Sequence, residues 1–302
     1  MKKRNFNEIY EKVRNEKDPM LEILRKRAIT CALICLFMTL GFGYVLYKFT
    51  DYTAVKVIYG LIDFISLIVF LLSIGKYNQL YKENIIVSLV KAYSPGLGFN
   101  RKSGVSSYEY NKANFKEYYD VFHSEDLIHG TIDDEFTIKM SEVKTEKKET
   151  TVDSQGHTQT HYVTVFRGIY GFIDVNDKFL PPFEVCSNKF FGKYNKSRIE
   201  VDSAEFEKYY DLYTIEKVRT MEVFTADLIE KFNRFKNELK TPIQIKVQGG
   251  TLYFRLKMND SFEASIFRES LDFKNLYHTF QLIDEPMSIF GQIFENAKVM
   301  KM

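Results

Sequence analysis

Two apolar runs near the start of the chain limit its fold more than any other feature. Ala28 to Tyr47 is twenty residues without a charge, and Val57 to Ile74 is eighteen with only Asp63. A bilayer hydrocarbon core about 30 Å thick takes about twenty helical residues, so each run is long enough to cross one. The expectation is a two-helix transmembrane hairpin over 28–74, with spans at 28–47 and 57–74 and the lipid bilayer as its first partner. A cleaved signal peptide fits poorly. The charged leader and the apolar core are both too long, and no small-residue cleavage site follows.

Charge orients the hairpin. Lys2, Lys3, Arg4, Lys12, Arg14, Lys17 and the cluster Arg25-Lys26-Arg27 precede the first run, and Lys76, Lys82 and Lys91 follow the second. The connection from Lys48 to Lys56 holds only those two lysines and Asp51. Basic residues stay on the cytoplasmic side, so both long flanks, and both termini, are expected in the cytoplasm. Inside the hairpin, Gly41 and Gly43 fall roughly 6–9 Å below the outer end at 1.5 Å per residue, and Asp63 reaches a similar depth on the return helix. Small residues let helices approach, and a carboxyl in lipid seeks a polar partner such as Thr39 or Tyr44. Gly41, Gly43 and Asp63 therefore read as a helix-pairing contact.

The flanks are helical in pattern. Residues 1–27 carry Phe6, Tyr10 and Val13, then Met20 and Leu24, at amphipathic spacing. Asp18-Pro19 suits a helix start. Residues 75–96 continue the second span with Ile86, Leu89, Val90 and Tyr93 on one face, and Ser94-Pro95-Gly96 stops it. The two flanks are expected to pair as a short cytoplasmic stalk.

Residues 97–302 read as an α+β domain. Residues 97–114 look like a linker with one short strand. From Phe136 the apolar period becomes two, and a long hairpin is expected through Ile173, its tip at Asp153–Gly156 standing in water. Gly168 and Gly171 suggest a bulge or a close backbone approach. Asp202 and Glu205 have the spacing of a capping box, and a strand is expected within Tyr213–Phe224. Thr225 should cap a helix carrying Leu228, Phe232, Phe235 and Leu239 as one stripe. Ile243 to Met258 forms a hairpin about Gly249-Gly250, and Asp284 with Pro286 is expected to open a last helix. Strands and helices without βαβ alternation give antiparallel hairpins with amphipathic helices.

The net charge of +2 offers no basic surface of the kind nucleic acids require, so no nucleic-acid partner is expected. Cys31, Cys35 and Cys186 give neither a disulfide framework nor a zinc spacing. No nucleophile elbow, phosphate-binding lysine loop, dinucleotide fingerprint or HExxH is present, so no cofactor is expected and no catalytic residue can be assigned. The one cluster of metal-ligand types is His123, Glu125, Asp126 and His129, with Asp133 to Glu135 nearby. A divalent ion held by His123, Asp126 and His129 could activate water, but the spacing matches no known signature and local acids commonly solvate a turn. His278 is isolated. Cys186 reads as a small buried apolar residue. The Thr- and Lys-rich tip, with Lys147, Thr150, His157 and His161, is a candidate partner-binding ribbon, since a projecting ribbon can template strand addition.

Four blocks carry a resemblance: EDLIHG at 125–130, FRGIYGFIDVN at 166–176, VDSAEFEKYYDLYTIEKVRTMEVFTADLIEKF at 201–232 and TLYFRLKMNDSFEASIF at 251–267. In these and in its order of elements the chain resembles an uncharacterised bacterial membrane protein family, domain of unknown function 3137. The resemblance implies two early spans, a cytoplasmic α+β region and attachment to the bacterial cell membrane. It supplies no catalytic residues.

The sequence thus favours a membrane-anchored cytoplasmic binding or scaffold protein with a protein partner on the cytoplasmic side. The alternative is a membrane-anchored metal-dependent hydrolase using the His123/Asp126/His129 region. Transport would need several copies, because one Asp63 in two spans supplies no polar pathway, so a homo-oligomer is the arrangement in which that reading survives.

Overall fold

The computed structural model describes residues 4–48, 52–133, 135–152, 158–174, 180–187, 197–259 and 261–299. The elements run α1 (Phe6–Asn15), α2 (Pro19–Lys48), α3 (Thr53–Tyr81), a π-helical turn (Lys82–Ile86), α4 (Val87–Tyr93), β1 (Leu97–Asn100), α5 (Ser107–Lys112), β2 (Val121–Ile132), β3 (Phe136–Val152) and β4 (Thr158–Asp174). There follow β5 (Phe183–Ser187), β6 (Ser197–Ile199), α6 (Ala204–Tyr209), β7 (Tyr210–Thr214), α7 (Lys217–Val223), α8 (Ala226–Leu239), β8 (Ile243–Gln248), β9 (Thr251–Lys257) and α9 (Phe273–Val299). Two compact units emerge. One comprises Asn7–Leu89 with Phe262–Leu276; the other comprises Met1–Phe6, Val90–Ser261 and Tyr277–Met302. The continuous 97–302 domain read from the sequence is thus divided, because Phe262–Leu276 groups with the helical hairpin.

In the first unit the Asp18-Pro19 start holds. Pro19 opens α2, and the Asp18 carboxylate accepts the Met20 N–H at 2.8 Å. The helices α2 and α3 are long and apolar enough to cross a membrane. They extend beyond both runs of the sequence, because the polar flanks continue the helix. Their apolar surface is turned outward: Leu33, Phe37, Leu40, Leu61, Phe64 and Leu72 are each more than half exposed. Polar and apolar contacts join the two helices. Thr39 Oγ1 donates to Asp63 Oδ1 at 3.0 Å, and Ser73 Oγ approaches Cys31 Sγ at 3.5 Å. A Cβ on Gly41 would stand 3.8 Å from the Tyr59 ring, Gly43 has open space, and Gly60, which the sequence pattern did not single out, receives the Phe42 ring. Below the hairpin, Asn84 holds the α1–α2 corner: its side chain accepts the Asp18 N–H and donates to the Glu16 carbonyl.

The second unit is built on a nine-stranded antiparallel sheet, in the order β1-β2-β3-β4-β9-β8-β5-β7-β6. The expected hairpins are present. Along β3 and β4 the register runs from Thr137↔Asp174 to Val152↔Thr158, and the β8–β9 turn has φ of 61° at Gly249 and 80° at Gly250, the double positive φ that glycine supplies most readily. One face of the sheet carries Ile138, Met140, Ile169, Ile173, Ile243, Ile245, Leu252, Phe254 and Leu256, all buried. The aromatic contacts Phe254–Phe290 and Phe136–Phe294 join it to α9, and Tyr210–Phe232 joins it to α8. The α8 stripe Leu228, Phe232, Phe235 and Leu239 is buried as expected, each side chain contributing roughly 1.5–3 kcal/mol. The opposite face is covered by Val105, Tyr110, Ala113 and Phe115, which pack on Val143, Phe166, Tyr170 and Tyr253.

Several local expectations change. Residues 97–114 hold β1 and also α5, opened by a full capping box in which Ser106 and Glu109 satisfy each other's backbone N–H. EDLIHG lies within β2, not in a turn. Ser203, not Asp202, caps α6, and Tyr213–Phe224 contains only the end of β7 before turning into α7. The last helix begins at Phe273, where Asp272 accepts the Asn275 N–H, and runs through Pro286. A proline removes one helical hydrogen bond, but the burial of Leu282, Ile283, Met287, Ile289 and Phe290 around it keeps the helix continuous. Thr225 precedes α8 as expected, yet its hydroxyl accepts from Asn296 rather than capping.

Gly171 is where β4 has no room. A Cβ there would lie 2.6 Å from Met140 Cβ and from the Phe254 ring. Gly171→Ala is expected to destabilise the sheet by about 1–3 kcal/mol through overpacking, read as a lower denaturation midpoint of the detergent-solubilised chain; an unchanged midpoint would show that Phe254 yields freely.

Candidate functional site

The sequence-predicted acids and histidines separate in space. A bulge interrupts β2–β3 pairing between Glu125 and Ile128, and Asp126 sits in it with φ 58° and no exposure. Asp tolerates that left-handed conformation better than most residues. His123 lies opposite Lys144 and Glu125 opposite Glu142, while His129 lies opposite Gly98 on β1. Among the described residues no three His, Cys, Asp or Glu side chains gather as a metal group. The bulge is part of the physical reason: it shifts the alternation of β2, so that His129, opposite Lys139, falls on the other face of the sheet from His123, opposite Lys144.

His123 instead lines a cleft of about 360 Å³ with Ser124, Glu125, Glu142, Lys144 and Arg167. Its groups are internally balanced, two carboxylates against two cations. Lys144 pairs with Glu146 at 2.7 Å, and Glu142 accepts the Ser261 N–H at 3.3 Å. Ser124 and Ser141 share a hydroxyl hydrogen bond at 2.8 Å, and Ser141 also accepts the Val105 N–H. That arrangement suits recognition of a zwitterionic or hydrogen-bonding group.

A second polar group, which sequence reading passed over, lies on the sheet face covered by α5. Arg255 is 3% exposed and pairs with Glu117, itself 7% exposed, at 2.7 Å. Its Nε donates to Gln244 Oε1 at 2.7 Å, and Gln244 donates on to Glu184. Tyr110 donates to the second Glu117 oxygen at 2.9 Å, and burial pushes its hydroxyl well up, so it remains a donor. The guanidinium lies 4.2 Å from the Phe115 ring centroid and 5.1 Å from that of Phe166, a stacked geometry that suits arginine. Beside it opens a cleft of about 410 Å³ lined by Phe166, Ser187, Thr241, Pro242, Gln244, Arg255 and Lys257. The available signal was an arginine in the middle of a strong hairpin, which alternation alone reads as solvent-facing.

The ribbon residues behave differently. Lys147, Thr150 and His161 lie where β3 and β4 have passed their other neighbours: β2 pairs no further than Glu146 and β9 no further than Gly168. Glu149 stands opposite His161, 3.5 Å from its Nε2. His157 lies outside the described residues. His278 is exposed on α9, and its partial desolvation lowers its pKa. Cys186 is buried.

With this geometry in view, the comparisons add a family. Residues 164–294 match the family model described as Protein of unknown function (DUF3137). That stretch is similar to the DUF3137 domain. The DUF3137 match runs from within β4 into α9 and contains three of the four resembling blocks, while EDLIHG falls outside it. No curated protein and no solved structure matches the chain. The DUF3137 stretch carries Arg255, Gln244 and Glu184, whereas Glu117 and Tyr110 come from the segment before it.

A buried pair broken on one side leaves an uncompensated charge. Arg255→Met is therefore expected to cost about 3–5 kcal/mol, and joining it with Glu117→Met should cost clearly less than the two single changes added together. Denaturation midpoints of the three variants check this. Strict additivity would mean that the pair does not couple.

Proposed function

We propose that this chain is a membrane-anchored binding or scaffold protein, with its hairpin in the bacterial cytoplasmic membrane and both termini in the cytoplasm. The observation that carries the reading is the outward apolar surface of α2 and α3. In the most apolar stretch of each helix only 11% and 6% of residues are buried, whereas the core helix of a water-soluble protein hides such a face. The Arg25–Arg27 cluster at one end of the hairpin, against a short connection at the other, supports the orientation. In a cysteine-free background, Tyr52→Cys should react with a membrane-impermeant maleimide on intact cells and Lys102→Cys only after lysis. The reverse pattern would overturn the orientation, and release of the chain by alkaline carbonate would overturn the anchor.

The binding role is assigned to the ribbon. Its two strands pair only with each other beyond Glu146 and Gly168 among the described residues, leaving both edges open for strand addition. Val152, Tyr162 and Val163 are exposed on it, and Lys147 and Lys148 discourage indiscriminate pairing. A photo-crosslinking residue at Thr150 is expected to give a discrete protein adduct in intact cells. Replacing 147–163 by a two-residue turn should leave the melting transition in place. A ribbon without adducts, or a sheet that fails to melt cooperatively once the ribbon is shortened, would count against this assignment.

A further inference from the structure

The loop Phe262–Leu276 belongs with the helical hairpin, and its attachments fix its level along it. Cys31 stands beside Ser73 and Thr39 beside Asp63, so each step along α2 is matched by a step back along α3. Lys76 therefore comes level with Lys26 and Arg27. At this same level Arg25 Nη1 donates to the Ile266 carbonyl at 3.2 Å, and the Ser270 hydroxyl donates to Glu22 at 3.4 Å. A buried Lys82 pairs with Glu263 at 2.6 Å. Phe262 and Ile266 are buried, but Phe267, held between two attachment points, is 80% exposed.

Its surroundings are basic. Lys26, Arg27, Lys76 and Arg268 are exposed; Glu269 is exposed beside them, and Arg268 stands 3.8 Å from Asp272. Arg25 is matched by Glu22 at 2.5 Å. The outward apolar surface begins one to two turns further along, at Leu33 on α2 and Leu72 on α3. An exposed aromatic ring in a basic zone at the end of an apolar surface has the chemistry of a membrane interface, where rings settle at headgroup level and cations meet anionic lipid.

We propose that Phe262–Leu276 is a membrane-surface anchor: Phe267 enters the headgroup–acyl boundary at the basic end of the hairpin, and Arg268 joins Lys26, Arg27 and Lys76 in binding anionic phospholipid headgroups. The proposal rests on the hairpin being embedded, and the test separates the two. The chain has no tryptophan, so Phe267→Trp and, separately, Phe37→Trp each introduce a single fluorophore into the full chain. Each variant is reconstituted into phosphatidylcholine vesicles with or without phosphatidylglycerol. Quenching is then read from shallow and deep nitroxide lipids and from aqueous iodide.

The expected result is deep-lipid quenching for Phe37→Trp and a blue-shifted, shallow-lipid-quenched emission for Phe267→Trp. The latter should strengthen with phosphatidylglycerol, and adding Arg268→Gln and Lys76→Gln should abolish that gain. Deep quenching for Phe37→Trp together with iodide-only quenching for Phe267→Trp would overturn the anchor and leave the hairpin standing. A Phe267→Trp indole reached by neither lipid nor iodide would mean that protein covers the loop, again overturning it. Indifference to phosphatidylglycerol would overturn the headgroup assignment. Iodide quenching of Phe37→Trp would remove the embedded hairpin and the anchor together.

Discussion

Strands β4 and β9 are covered on both faces, and most of the second unit follows from that requirement. A strand buried on one side alternates apolar and polar residues. Here Leu252, Phe254 and Leu256 are buried on one face while Tyr253 and Arg255 are buried on the other. The first set needs α8 and α9; the second needs the segment Val105–Phe115. Gly168 and Gly171 let β4 lie close to β9 and β3, and a charged residue at 255 can be placed inside only because Glu117, Gln244, Tyr110 and two aromatic rings meet it there. Removing charges from water is costly unless they are paired and hydrogen-bonded. The network therefore fixes which loop covers that face and in which register.

Elements with a regular local period were legible in the sequence. The β3–β4 and β8–β9 hairpins follow from alternation and turn residues, and the α8 stripe follows from three- and four-residue steps. The misses have identifiable causes. Asp284 and Pro286 carry a helix-start signal, yet α9 begins earlier at Phe273 and runs through Pro286, held by the surrounding tertiary burial. Ser106 and Glu109 form a capping box that local Gly, Ser and Asn content obscured. The candidate site was less legible still. EDLIHG contains ligand-type side chains, but a bulge puts His129 on the opposite face from His123, and no spacing rule anticipates a bulge. Arg255 meets Glu117 and Tyr110 across a long stretch of chain, which is tertiary information that alternation does not carry.

The hairpin unit obeys a different solvent logic. Its internal contacts include Thr39 to Asp63 and Cys31 to Ser73, while large apolar side chains point outward. Within lipid, packing and polar contacts hold helices together, because the tails are as apolar as leucine. Asp63 has a partner across the hairpin in Thr39.

The π-helical turn Lys82–Ile86 lies within the hairpin unit. An extra residue in one turn advances the phase of everything beyond it, so the outward-facing pattern of α3 need not continue into α4. Buried side chains run on both sides of the turn, from Tyr77 and Tyr81 on α3 through Ile85 and Ile86 to Leu89, Val90 and Tyr93. The same turn places Lys82 against Glu263 and Asn84 against Asp18 and Glu16. Mid-helix π turns are rare and recur where a local shift is needed, and here the turn holds the residues that tie α3 to the α1–α2 corner and to the 262–276 loop.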